Sequence, residues 1–130
     1  MKPYYSNMEI IPAETVLAGN FASVVAGDKP IIAVTENYPL PGVDFEQSSQ
    51  ITVIKQLAAQ AKDRLIVVAL RDPYELAEVP DLNSYLCAFS FRPSSAQAAA
   101  DVLSGAIQPL GATPVSIPNT AFTAYEIPSA

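Results

Sequence analysis

Histidine is missing from this sequence altogether. That absence removes Ser-His-Asp and Cys-His triads, histidine general bases and histidine-ligated zinc in one step. Cysteine occurs once, at Cys87, so neither an internal disulfide nor a thiolate-built metal centre can form. Basic residues are scarce. Seven Lys and Arg stand against thirteen Asp and Glu, for a net charge of −6, and the basic residues form no cluster. Nucleic acid and anionic membrane surfaces are therefore not expected as partners, since both are bound through many cationic side chains. No apolar run approaches the ~20 residues of a membrane span. The opening "MKPYYSNMEI" has no continuous apolar core of the signal-peptide kind. The glycine-bearing stretches "LAGNFAS" and "LSGAIQPLGA" lack the spacing of a phosphate-binding loop. No cofactor and no metal are expected.

Half of the 130 residues are hydrophobic and only 15% are charged, which fits one folded domain and not a disordered chain. Twelve prolines imply many short connections. Residues 1–8 read as an arm or linker, and residues 9–130 as a single domain. From Ile10 to Val25, the residues Ile10, Leu17, Phe21, Val24 and Val25 fit one helical stripe, which Gly19 weakens; "ASVVAG" could instead be a short strand. "GDKP" makes a turn before the strand "IIAV". "ENYPLPGVDF" (Glu36 to Phe45) holds two prolines and a glycine and reads as a loop.

"SSQITVIKQLAAQAK" is the clearest helix, capped by Ser48 or Ser49, with Ile51, Ile54, Leu57, Ala58 and Ala61 as its buried stripe. The unbroken apolar run "LIVVAL" fits a central strand covered on both faces, as in parallel sheets. A loop "RDPYELAEVPDLN" follows, with one helical turn at "YELAEV". "SYLCAFSF" reads as a strand whose two faces both pack, which makes Tyr85, Phe89 and Phe91 core residues and Cys87 a buried, unreactive thiol. Ser94 and Gln97 match a capping box for an alanine-rich helix closed by Gly105. "TPVSI" is expected as a last short strand. The sum is an α/β fold, a three-layer sandwich with a mainly parallel, doubly wound sheet.

In such sheets, functional side chains gather at the carboxyl ends of the strands. Three loops qualify there: "TENYPLPGVDF", "RDPYELAEVPD" and "SFRPSS". They offer Glu36, Tyr38, Asp44, Glu46, Arg71, Asp72, Tyr74, Glu75 and Arg92. Glu36 or Asp44 with Asp72 could serve as the acid and base of a glycosidase. The plainer reading makes them solvated loop carboxylates, with Asp72 before Pro73 as a turn former. Arg71 could clamp an anion, or pair with Asp72, Glu75 or Glu78.

The stretches "VALRDPYELAEVP", "NSYLCAFSF" and "SAQAAADVLSGAIQPLGATPVSIP" resemble, as a set and without a gap from Leu65 to Pro118, the C-terminal domain of glycoside hydrolase family 3. That pattern runs a hydrophobic strand into an "R-N/D-P-Y-D/E-L" loop, then an "A/S-Y-L/I-x-x-Y/F-S" strand, a helix ending "V-L-x-G" and a closing "L-P-V-S-I-P". The loop is most similar to the bacterial β-N-acetylhexosaminidase branch. The first sixty residues match only in outline. Ser104, Ala106, Thr113 and Phe89 depart from the pattern at packing or turn positions.

The resemblance implies a partner: an N-terminal TIM-type barrel of the same parent enzyme, which carries the nucleophilic aspartate and, in that branch, a histidine within "K-H-F-P-G-H-G". No catalytic residue carries over to this sequence, and no local motif gives the glutamate acid/base role of the β-glucosidase branch to Glu36, Glu46 or Glu75. The isolated chain is expected to be inactive. Arg71, Asp72, Pro73, Tyr74, Glu36 and Asp44 are the expected barrel-facing or cleft-facing residues, with carbohydrate as a further partner. Two rivals stand beside this reading. One is a free-standing α/β domain that binds a small ligand or a protein. The other is an enzyme in its own right.

Overall fold

The computed structural model describes residues 7–36 and 47–121, without the side chains of residues 20 and 47–49. Its elements run α1 (Ala13–Thr15), a π turn (Val16–Asn20), α2 (Phe21–Val25), β1 (Ile31–Thr35), α3 (Gln47–Ala61), a 3-10 turn (Lys62–Arg64), β2 (Leu65–Ala69), a second 3-10 turn (Tyr74–Glu78), β3 (Tyr85–Cys87) and α4 (Pro93–Leu103). The three strands form one parallel sheet in the order β1-β2-β3. The fold is an α/β sandwich round that sheet, as the alternation of elements implies.

The core follows from strand register. Ile31, Ala33 and Thr35 of β1 pair with Leu65, Val67 and Ala69 of β2, so these six side chains share one face of the sheet. Onto that face α3 lays Val53, Ile54, Leu57 and Ala61, all buried at helical spacing. Val16, Phe21, Val24 and Val25 of the N-terminal helices pack against the same cluster. Leu65 and Val67 are 1% and 0% exposed; burial on this scale contributes about 1.5–3 kcal/mol per side chain. On the other face Val68 is also buried, so β2 is covered on both sides, as its unbroken hydrophobicity demands. Ile32 and Val34, on that second face of β1, stay exposed at 37% and 60%.

Four local expectations change. The stripe through Ile10 and Leu17 fails: Ile10 precedes α1, and Gly19 (φ 110°) breaks the helical phase before Phe21, so Val16 is buried while Ile10 and Leu17 face solvent. The described span of α3, Gln47–Ala61, already includes Ser48 and Ser49, so they lie inside the helix and not at its cap. The Ser94–Gln97 capping box does not form either. Pro93 takes the first helical position, Arg92 is the cap, and Gln97 Nε2 donates instead to Asp101 Oδ1 at 2.8 Å. "TPVSI" makes no strand. Thr113 Oγ1 donates to the carbonyl of Val115, and Pro114 and Pro118 have no N–H for a ladder.

The C-terminus of α4 behaves as expected. Gly105 has φ 78°, its N–H reaches the Val102 carbonyl, and the Ala106 N–H reaches that of Asp101, the two bonds of a Schellman closure. Arg64, at the end of the first 3-10 turn, clamps the N-terminal helices. Its Nη2 donates to the carbonyl of Val25 at 2.7 Å and its Nη1 to that of Lys29 at 2.8 Å.

Candidate functional site

All three strands end at one level. The Leu70 N–H donates to the Thr35 carbonyl at 3.0 Å, and the Ala88 N–H to the Ala69 carbonyl at 2.8 Å. Glu36, Arg71 and Phe89 thus follow strand ends that are hydrogen-bonded side by side. These are the positions from which the candidate loops leave the sheet.

The middle loop is ordered by its own residues. Asp72 Oδ1 accepts from the Tyr74 N–H at 2.8 Å, an Asx turn that matches the plainer reading of Asp72. Pro73 is buried and precedes the 3-10 turn, whose Leu76 N–H reaches the Pro73 carbonyl. Tyr74 is left 47% exposed. Arg71 lies with its guanidinium carbon 5.0 Å from the centroid of the Phe91 ring, a cation–π contact across to the loop after β3. Glu78, one of the partners considered for Arg71, instead meets Lys55 at 3.1 Å on the surface.

Glu75 is the side chain that sequence reasoning undervalued. It is 2% exposed, and its Oε1 accepts from Thr35 Oγ1 at 2.5 Å and from the Tyr85 hydroxyl at 3.2 Å. One carboxylate thereby joins the last residue of β1, the loop after β2 and the first residue of β3. The partners are forty and ten positions away in sequence, so no local motif announces them. The one available hint is a threonine closing the otherwise apolar "IIAVT". Burial, with the Glu75 carboxylate next in weight, pushes the Tyr85 phenol well above the ordinary tyrosine range.

On the β1 side, Glu36 is held through its backbone. Gln50 Oε1 accepts from its N–H at 2.9 Å and Gln50 Nε2 donates to its carbonyl at 3.1 Å. Asp44, Tyr38 and Glu46 lie outside the described residues.

The third loop corrects the expectation of an aromatic core. Strand β3 ends at Cys87, and Phe89 turns out of the ladder with φ 56°. Phe89 and Phe91 are consequently 42% and 50% exposed. A positive φ at a bulky residue leaves the β region, so the period-two pattern stops there. Cys87 is half-buried and not fully buried, because it borders a cavity of about 190 Å³ between β3 and α4, lined also by Leu86, Ala99 and Val102. Burial pushes its thiol up to about 11, against the opposing pull of a backbone hydrogen bond with Phe89. Among the described residues no three of His, Cys, Asp and Glu gather as a metal site, and no helix is long and apolar enough to cross a membrane.

These features define an α/β domain of parallel sheet with its polar loops collected at the carboxyl edge. The chain belongs to a known family of such domains: it matches the glycosyl hydrolase family 3 C-terminal domain over residues 12–128. No curated protein and no solved structure matches it. The family makes this an accessory domain of a family 3 glycoside hydrolase, and it implies a parent enzyme with an N-terminal domain.

Proposed function

We propose that the chain is the C-terminal accessory domain of a bacterial β-N-acetylhexosaminidase acting on N-acetylglucosamine-containing glycans. In this reading Arg71, Asp72, Pro73 and Tyr74, with Glu36 and Asp44 on the neighbouring loop, face the N-terminal barrel or the substrate cleft beside it. The observation that supports it is the build of the Arg71–Tyr74 loop. An Asx turn and a buried proline fix its backbone, while Tyr74 is held out toward solvent at the edge where α/β domains engage their ligands. Retaining glycoside hydrolysis needs a nucleophile and an acid/base about 5 Å apart, and the family resemblance puts the nucleophile on the barrel.

The test mixes the purified chain with the barrel domain and assays an aryl β-N-acetylglucosaminide and an aryl β-glucoside. The chain alone should give no turnover. The mixture should hydrolyse the first substrate, and R71A and Y74A should weaken that activity. Turnover by the chain alone, abolished by Asp72→Ala or Glu36→Ala, would overturn the accessory role. Preference for the glucoside would move the parent to another branch.

A further inference from the structure

We infer that Glu75 is a positioning residue of the candidate site, tying the end of β1, which carries Glu36, to the Arg71–Tyr74 loop. Thr35 immediately precedes Glu36, where the first loop begins, and Glu75 immediately follows Tyr74, where the second ends. The 2.5 Å bond from Thr35 Oγ1 to Glu75 Oε1 is a direct tie between them. The Tyr85 hydroxyl, at 3.2 Å from the same oxygen, fixes the carboxylate from the side of β3. Glu36 and Tyr74, the residues next to this tie, are each set by a further device: Glu36 by the Gln50 amide, Tyr74 by the Asp72 carboxylate.

Packing alone does not account for a carboxylate here. Glu75 is among the largest fully buried side chains, and a leucine would fill similar space without desolvating a charge. What leucine lacks is an acceptor that holds two hydroxyls in fixed directions, because hydrogen bonds are directional and apolar contacts are not. The inference concerns how the loops are placed; its bearing on function rests on reading Arg71–Tyr74 as the presented surface.

The experiment compares wild type, E75Q and the all-apolar variant T35V/E75L/Y85F in the whole chain, by amide hydrogen exchange and urea unfolding. Replacing these three polar residues together avoids stranding either hydroxyl and can be nearly neutral for global stability. The expected result is a near-normal unfolding midpoint for the apolar variant. Its Glu36, Tyr74 and Leu76 amides should together exchange about tenfold faster than wild type, as loss of a charge-assisted bond implies. E75Q, which keeps an acceptor oxygen, should stay within about threefold. Unchanged exchange in both loops, or acceleration confined to one, overturns the inference. If the apolar variant does not fold, T35V alone must accelerate Tyr74 and Leu76 as well as Glu36, and an effect limited to β1 refutes the tie. Exchange is read on the chain alone, whereas the presented surface is tested with the barrel added, so either can fail without the other.

Discussion

Arg64→Ala should detach the N-terminal helices from the rest of the domain. The guanidinium makes two charge-assisted bonds, to the carbonyl of Val25 at 2.7 Å and to that of Lys29 at 2.8 Å. Hydrogen bonds to charged groups contribute about 1.5–3 kcal/mol each when shielded from water. The Val25 bond is partly buried and takes a value near the lower end. The Lys29 bond is exposed, and competition from water reduces it to well under 1 kcal/mol on the scale of ordinary exposed pairs. Val25 ends α2, so a cation there also satisfies a carbonyl left over by the helix, a favourable term of a few tenths of a kcal/mol. The sum is a loss of about 2–2.5 kcal/mol. Arg64→Lys, with a point charge in place of the planar fork, can keep one carbonyl and should lose about half as much. With a urea slope of about 1.5 kcal/mol/M, the alanine variant's midpoint falls by roughly 1.5 M. Hydrogen exchange should localise the damage to residues 13–25 and leave β2 protected. A stability loss below about 0.5 kcal/mol, the range of ordinary surface substitutions, would refute the clamp.

Two further outcomes follow from the third loop and the edge of β3. Cys87 and Tyr85 are neutral when protonated, and folding raises both pKa values, the thiol from 9.0 to about 11 and the phenol upward from 10.0. Their stabilising contribution is complete below pH 9 and is lost as pH rises, first between 9 and 11 as the unfolded thiol ionises ahead of the folded one. Urea midpoints measured from pH 7 upward should fall above pH 9, less steeply in C87A; a flat profile, or the same slope in C87A, contradicts this assignment. Thiol labelling of the native chain at pH 7 should be slow for the same reason. Phe89→Gly should leave stability unchanged or raise it by up to about 1 kcal/mol, because the exposed ring at φ 56° gives up strain along with modest packing. A loss above about 2 kcal/mol on urea titration would show that the ring contributes far more packing than its exposure implies.

What the sequence disclosed and what it withheld divide along physical lines. "LIVVAL" declared a central strand because two-sided burial leaves no position free for a polar residue, and β2 is covered on both faces. The helix over 48–62 was legible because Ile54, Leu57 and Ala61 repeat at the helical period, although the period could not tell that Ser48 and Ser49 lie inside it and not at its cap. Phe89 misled because a strand pattern carries no record of where φ changes sign. Ile10 and Leu17 misled because a periodic stripe is assumed continuous, whereas the helix starts only at Ala13 and Gly19 interrupts it. At the candidate site, the Arg71–Tyr74 loop could be located from its turn residues and its place after an apolar run. Its tie to β1 could not, since the Thr35–Glu75 bond spans forty residues and is created only by the parallel register that sets the strand ends side by side. "TPVSI" lost its strand to a contest that composition cannot adjudicate, between a ladder and a threonine bonding its own backbone.

The outward side of β1 bears on how the chain behaves in bulk solution. Ile32 and Val34 lie exposed on a strand that, among the described residues, pairs on one side only. Backbone donors and acceptors that no described strand claims, beside an exposed aliphatic strip, are a template on which further strands can nucleate. Asp28, Lys29 and Pro30 at the strand's entrance blunt one end of it. The net charge of −6 keeps copies apart over a distance that shrinks to about 3 Å in 1 M salt. Concentrated, high-salt stocks are where ordered aggregates should begin, with β1 as their seed.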